Sequence, residues 1–585
     1  MTNIDKLAEI FPQCITESAD GDGNLICAID FELLRQILSD NLIDGRETYV
    51  FDFVGKKRAT SEAYKPIRKT LRPIIDRSRD FNATKNLYIE GDNLDALKIL
   101  QESYLHKVKL IYTDPPYNTG GDFIYRNDFT RAVDGNRILN RESRGRFHSD
   151  WCAMIYSRLL IAKHFLRDDG VIFISIDDHE QANLKKICDE VFGEKNFVAN
   201  IVWKRKPYGN NMGFIPPVHD FILVYCKDIT QLKPFALAQS EEYLKGKYSN
   251  PDNDPRGDWT TMSLTASHKG PHFAITNPNT GEKFFPPRGR YWVFNEAEVL
   301  RRIADGRIIF GKSGTSSPVQ KVFAAERNLT NKPNTWFDKQ GYNGDGTNEL
   351  MEIFGQKIFI SPKPTSLIEY ILKFATDADS IVMDFFSGSA TTAHAVMELN
   401  VQDGGKRQFI MIQLPESTPE NSEARRAGYN TICDIGEERI RRAGDKIKID
   451  NPELDTGFRV FKVNTSNFIE PPEVWKPEIL LDFVENIKPD RNALDLLFGY
   501  LLETGATLDD TLTVETVDGH EVLNYGGKIL ACFEKNLPEE FFRTLANRTP
   551  AKILFRDASF ASSAVKINAF AYFRYVAPDT EVKVL

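Results

Sequence analysis

The run Val171-Ile172-Phe173-Ile174-Ser175-Ile176 constrains the fold more than any other stretch of the chain. It is apolar at nearly every position and shows no alternation of polar and apolar residues. A strand of that kind is buried on both faces, as strands are in a parallel sheet covered by helices on each side. Further strand-like runs stand at 87–90, 108–113, 197–203, 220–225, 380–386 and 407–414. Segments with helical spacing of apolar residues lie between them, at 94–100, 151–167, 366–375, 391–399 and about 430–447, and Asp177-Asp178-His179-Glu180 opens another. A turn is expected at Asp168-Asp169-Gly170. Strands alternating with helices predict an α/β fold with a doubly wound, Rossmann-like, mostly parallel sheet. Such sheets bind ligands at the carboxyl ends of strands, where the strand order reverses.

The pattern breaks between about 206 and 355, where Gly, Pro, Asn, Thr and aromatic residues rise and long periodic segments vanish. Asp254-Pro255-Arg256-Gly257-Asp258-Trp259 and Pro286-Pro287-Arg288-Gly289-Arg290-Tyr291-Trp292 mix cations with rings there. The expected organisation is therefore an α-rich region at 1–80, with a helix about 31–38, and one α/β half at 81–205. An insert at 206–355, a second half at 356–454 and a separate C-terminal α+β region at 455–585 follow.

The 585 residues suffice for several domains. Seven scattered cysteines form no C-x-x-C pair and no Cys/His cluster, which points to a reducing compartment and away from a structural metal. No apolar run reaches the length of a membrane span, and Met1–Lys6 begins no signal peptide, so a cytoplasmic protein is expected. The net charge of −9 is unlike that of nonspecific nucleic-acid binders, which are usually basic. Any phosphate contact would have to come from local patches: 65–72, Lys204-Arg205-Lys206, or Arg439 with Arg441 and Arg442.

Two strand-ending loops carry chemistry. Asp114-Pro115-Pro116-Tyr117 follows the strand at 108–113 and precedes the loop Asn118-Thr119-Gly120-Gly121-Asp122. An acid, two prolines and an aromatic ring make a rigid platform suited to the amino group of a flat, flipped-out base. A Pro-Pro turn that merely ends a strand is the plainer alternative. The second loop, Asp384 to Thr392, ends a strand and opens a helix, and its small residues let backbone approach a ligand closely. Alone it could equally be a packing turn. It lacks both the dinucleotide G-x-G-x-x-G and the Gly-Lys-Ser/Thr of a phosphate loop, which disfavours ATP.

Together the two loops resemble the amino-methyltransferases that use S-adenosylmethionine. The whole chain resembles the modification (Mod) subunits of type III restriction-modification systems. The phrases that carry this are Thr70–Pro73, Tyr88–Leu94, Thr113–Gly120, Ile174–Asp178, Pro362-Lys363-Pro364, Asp384–Ala393, Gln413–Glu416 and Gly457–Phe461. The resemblance runs from about residue 50 to the C-terminus and is weakest in the insert. The platform preceding the cofactor turn is the β order of this family.

The resemblance implies methylation of adenine N6 in double-stranded DNA, with the adenine flipped out. Asp114 and the Pro115 carbonyl would accept hydrogen bonds from the amino group, Pro116 would keep the step rigid, and Tyr117 would stack on the base, worth about 1–3 kcal/mol. Asp at 114 rather than Ser favours adenine N6 over cytosine N4. No metal is required. For the cofactor, Asp384, Phe386, Ser387 and Gly388 match the turn that holds it. Lys363 and Pro364 match the segment near its methionine carboxylate, with Lys363 as a partner of that group. Asp92 matches the acid that meets its adenine amino group, or else is a helix N-cap, and Gln413 or Glu416 stands where a ribose-binding residue is expected. Ala390 departs from the usual glycine, so either its φ stays negative or cofactor affinity falls. The family further implies a homodimer, a restriction (Res) partner subunit, base reading by 206–355, and subunit or partner contacts after 455. No helicase or nuclease motif is present. A catalytically silent DNA-recognition subunit and a stand-alone methyltransferase are the alternatives.

Overall fold

The computed structural model describes residues 51–585 apart from 121–122, 126–136, 140–145, 210–213, 240, 312–315, 328 and 470–485. Before residue 51 it describes 11, 14–19, 25–30 and 33–34. The chain divides into two units, Met1–Phe53 and Val54–Leu585. In the first, Ile15–Ala19 and Leu25–Ile29 pair as an antiparallel hairpin. Within the region expected to be α-rich, the described residues hold this hairpin, the helix Lys56–Tyr64 and the strand Lys69–Pro73; β-branched Ile15, Thr16 and Thr70 favour the extended backbone. Of the helix expected at 31–38, only Leu33 and Leu34 lie within the described residues.

A ten-stranded sheet organises the second unit. In chain order its strands are β1 Lys69–Pro73, β2 Leu87–Glu90, β3 Val108–Thr113, β4 Leu166–Ile176, β5 Phe197–Lys204, β6 His219–Cys226, β7 Trp336–Phe337, β8 Ile381–Asp384, β9 Gln408–Gln413 and β10 Arg459–Thr465. Their spatial order is β7-β5-β6-β4-β3-β8-β9-β2-β10-β1. From β4 across to β10 every pairing is parallel. β6 is antiparallel to β4 and β5, and β1 is antiparallel to β10. β2 and β3 are buried at every position, including the polar Glu90, Lys109 and Thr113. On one face Leu110, Tyr112, Val171 and Phe173 form a core with Leu367, Ile371, Val396 and Ile440 from the helices Thr365–Ala375, Thr391–Asp403 and Ile432–Asp450. The alternate residues, buried Ile111, Ile172 and Ile174, point to the other face.

The expected turn at 168–170 is extended backbone inside β4. The register with β3 jumps there from Val108↔Leu166 to Leu110↔Val171, so the extra residues are absorbed as a bulge. The domain borders also move. β6 and β7 belong to the central sheet, which leaves 227–335 as the insert. There Trp259–Ser263, Ile308–Ile309 and Val319–Phe323 form a small sheet beside a separate core of Leu264, Ile275, Trp292, Val299, Ile308 and Phe310. At the other end, β10 lies beyond residue 455 yet sits between β2 and β1. The independent C-terminal sheet begins only at Leu512–Val517 and has five strands. Among the described residues no helix is long and apolar enough to cross a membrane.

β3 and β8 are neighbours, and the chain leaves them in opposite lateral directions, β3 toward β4 and β8 toward β9. This is the point of strand-order reversal, and both loops of interest leave its carboxyl edge. In the turn after β8, Ala390 has φ 60 and ψ 39, left-handed backbone, and caps the helix Thr391–Asp403. Of the two alternatives offered for Ala390, the negative φ is therefore excluded.

Two outcomes are expected. A chain ending at residue 455 loses β10 and the strand β1 that depends on it. It should be insoluble or lack a cooperative unfolding transition, as read by circular dichroism in denaturant. Ala390 is fully buried. Replacing it by Gly relieves about 1–2 kcal/mol of left-handed strain but loses about 0.8 kcal/mol of methyl burial and about 0.4–1 kcal/mol to unfolded-chain freedom. Ala390→Gly should therefore shift unfolding stability by less than about 1 kcal/mol, whereas Ala390→Val, β-branched and overpacked, should lose more than about 2 kcal/mol.

Candidate active site

A cleft of about 600 Å³ opens at the reversal point and is lined by Asp114, Pro115, Pro116, Tyr117, Lys363, Asp384, Phe386, Ser387, Gly388, Gln413 and Glu416. Eleven of the thirteen residues singled out from sequence thus meet in one place. Its size suits a small-molecule cofactor together with one more flat group.

The platform after β3 is locked from behind. Trp151, buried on the helix Phe147–Phe165, donates its Nε1 proton to the Pro116 carbonyl at 2.7 Å. That occupies one proline carbonyl; among the described residues no donor meets the other, on Pro115. Asn118 takes left-handed backbone, φ 62, and its amide donates to buried Glu180 at 2.5 Å. Asp114 is half-buried: its Oδ2 accepts from Lys363 Nζ at 2.5 Å, while its Oδ1 is buried with no hydrogen-bond partner. The Lys363 ammonium also lies 5.1 Å from the centre of the Tyr117 ring. Burial, with Asp114 nearby, holds the Tyr117 hydroxyl well above its usual pKa, so it stays a neutral phenol.

The turn after β8 is held by its own side chains. Asp384 accepts from Phe386 N at 3.1 Å and from Thr392 Oγ1 at 2.7 Å. Burial pushes its carboxyl up to about 7, against those two hydrogen bonds. Gly388 has φ 51 and donates its N–H to Gln413 Oε1 at 2.7 Å. Beneath the turn lies fully buried Arg439, which donates to Thr391 Oγ1 at 2.6 Å, Ser389 Oγ at 3.1 Å and Thr365 Oγ1 at 3.2 Å. The Ser387 hydroxyl is buried without a hydrogen-bond partner. An orphaned hydroxyl beside a left-handed glycine, in a turn that lines a cleft of this volume, fits a polar ligand brought close to backbone.

Two predicted residues do not line the cleft. Asp92 is the N-cap of the helix Asn93–Tyr104, accepting from Leu94 N and Asp95 N, and its other oxygen meets buried Arg158 at 3.2 Å. Pro364 caps the helix Thr365–Ala375. The phosphate patches change as well. Arg439 is buried under the turn, and Arg441 and Arg442 pair with Glu438 at 3.2 and 2.7 Å. Arg72 is bidentate to Asp495, and Lys69 meets Asp95 at 2.6 Å. Cleft residues missed in the sequence include Asp177, His179, Asp220, Asn343 and Phe359, while Arg205, singled out as a phosphate contact, also lines the cleft. Asp220 had a signal, a carboxylate at the head of an otherwise apolar strand.

The family model described as DNA methylase, of the N6/N4 type, matches residues 108–438, from β3 through both loops. The chain is 36% identical over 491 residues to the StyLTI Mod subunit of a type III restriction-modification enzyme from Salmonella typhimurium, covering 79% of this chain and 74% of that one. It is 33% identical to the EcoP15I Mod subunit from Escherichia coli, covering 77% and 76%. It is 30% identical to the type II methyltransferase M.KpnI from Klebsiella pneumoniae, covering 62% and 88%. With the platform, the turn and the shared cleft, these similarities lead to one assignment: the chain belongs to the N6/N4 DNA methylases, and among them to the modification subunits of type III restriction-modification enzymes.

Proposed function

We propose that this methyltransferase acts on adenine N6 in double-stranded DNA, with the target base turned out of the duplex into the cleft. The observation that carries this reading is the meeting of the Asp114–Tyr117 platform and the Phe386–Gly388 turn in one cleft. S-adenosylmethionine, when bound, supplies a methyl carbon on a positively charged sulfur. Phe386, Ser387 and Gly388 hold that cofactor, with Gln413 and Glu416 at its polar rim. Pro115, its carbonyl fixed by the prolines and by Trp151 behind Pro116, accepts one hydrogen bond from the amino group. Asp114 accepts the other. Two acceptors in fixed positions draw electron density onto N6 and orient its lone pair, so much of the rate comes from positioning. Tyr117, neutral and half-buried, offers its ring to the base.

The insert reads the DNA sequence, with Arg, Lys, Asn and Gln at base edges. The C-terminal sheet serves subunit contacts in a homodimer or contacts to a restriction subunit. A stand-alone methyltransferase is the second reading, supported by the likeness to M.KpnI across most of that chain. Co-purification of a nuclease subunit from the native host separates the two.

Tritiated methyl transfer to DNA, followed by methylome sequencing with and without the protein, tests the main reading; it should reveal N6-methyladenine at one recurring sequence. Asp114→Ala should lower methyl transfer by about a thousandfold and leave DNA affinity nearly intact; equal loss of both would make Asp114 structural. Gly388→Asp, which adds a side chain and a negative charge at left-handed backbone beside Phe359, should abolish cofactor binding in calorimetric titration. Normal binding in that variant would remove the turn from the cofactor site.

A further inference from the structure

Lys363 stands where the target base has to bind. Its Nζ is 2.5 Å from Asp114 Oδ2, an amino nitrogen on the acceptor that the adenine amino group needs. Lys363 is only 9% exposed, so when a base displaces it the ammonium cannot simply turn to water. A buried cation without a partner is strongly disfavoured, and another acceptor must take it.

Four aspartates line the cleft: Asp114, Asp177, Asp220 and Asp384. Asp384 has both oxygens engaged by its own turn. Asp177 uses Oδ1 on the backbone and ring of His179. Asp220 differs. It is 1% exposed and heads β6, which runs antiparallel to β4 and so begins at the carboxyl edge of the parallel strands. Its register partner on β5 is Trp203, and the Lys363 ammonium lies 5.9 Å from the Trp203 ring. Arg205 Nε is 2.9 Å from Asp220 Oδ1, yet the two are misaligned, and each is left without a hydrogen bond. Asp220 therefore keeps acceptor capacity inside the cleft.

Resting on the reading above, we propose that Asp220 is a positioning residue for methyl transfer: it receives the Lys363 ammonium when the target adenine takes Asp114. The ion pair with Asp114 then acts as a placeholder that keeps the acceptor in position, and the exchange clears it at the cost of one ion pair replaced by another. Burial pushes the Asp220 carboxyl up to about 6; Lys363 and Arg205 oppose that, and Asp114 and Asp177 add to it. Asp384, Glu416, His179, Tyr112 and Tyr117 are the other titratable groups on the cleft wall, and the separate KM for S-adenosylmethionine distinguishes titration of Asp384, in the cofactor turn, from that of Asp220. As the pH falls through this region Asp220 becomes neutral and loses its hold on Lys363, so base capture weakens on the acid side.

The test measures KM for long unmodified phage DNA, KM for S-adenosylmethionine and kcat from about pH 5 to about pH 8.5. It compares the wild type with Asp220→Asn, Asp220→Glu and Asp220→Asn/Lys363→Met. At neutral pH, Asp220→Asn should raise the DNA KM by about tenfold, with a smaller change in kcat at saturating DNA, and should lose the acid rise that the wild type shows near pH 6. Asp220→Glu should retain the acid rise. Adding Lys363→Met should bring the DNA KM back, because Asp114 no longer needs to be cleared. A wild-type DNA KM and pH profile in Asp220→Asn would overturn the proposal, as would a DNA defect that Lys363→Met fails to relieve. If Asp220→Asn does not fold, a wild-type DNA KM that stays flat through pH 6 overturns it. A wild type that moves no methyl group would instead refute the proposed reaction, and the same comparison is then read from equilibrium DNA affinity.

Discussion

The parallel pairing of β3 with β8 is the constraint on which the rest depends. Leu110 and Ile111 stand in register with Val382 and Met383. Asp114 follows three residues after Ile111, and Asp384 directly follows Met383. Two loops far apart in sequence are thereby fixed a few ångströms from one another. The pairing holds because both strands are buried between helical layers, where unpaired backbone groups would be costly. Nothing local in either loop could fix that distance.

Each loop then needs its own rigidity, and the molecule supplies it from different directions. The platform is braced by Trp151, on the helix before β4, and by the Asn118–Glu180 contact, at the head of the helix after it. The cofactor turn is braced by Asp384, Gln413 and the buried Arg439. Arg439 lacks a close carboxylate partner, Glu349 lying 3.6 Å away, and burial draws its pKa down to about 10. Three hydroxyl acceptors meet its two terminal nitrogens instead, and its Nε is buried without a hydrogen-bond partner. A charge kept this deep shows how strongly the turn geometry is specified, since an apolar residue of like volume would be cheaper to bury.

The strand-and-helix skeleton was legible because buried strands have a composition that little else shares. The run at 171–176 and the tetrad at 114–117 each carried their structural meaning in their own residues. The borders were less legible. Residues 219–226 and 336–337 stand within a Gly- and Pro-rich stretch, yet their strands complete the central sheet. β10 stands past an apparent end of the α/β pattern, yet it fills the place between β2 and β1. Sheet membership depends on which edge is open, and an edge is a property of the assembled sheet.

The same division runs through the site. Residue type alone determined that an acid, two prolines and a ring would end a strand as a platform, and that small residues would leave room at a turn. Only the tertiary structure decided which charges meet. It spent Asp92 on a helix N-terminus and Arg158, buried Arg439 beneath the turn, set Lys363 on Asp114, and brought Asp220 to the cleft from the head of an antiparallel strand. A side chain's chemistry travels with its residue, but its partner is set by distances of a few ångströms between segments that the chain order keeps apart, and in a low-dielectric cleft those distances decide what a charge can do.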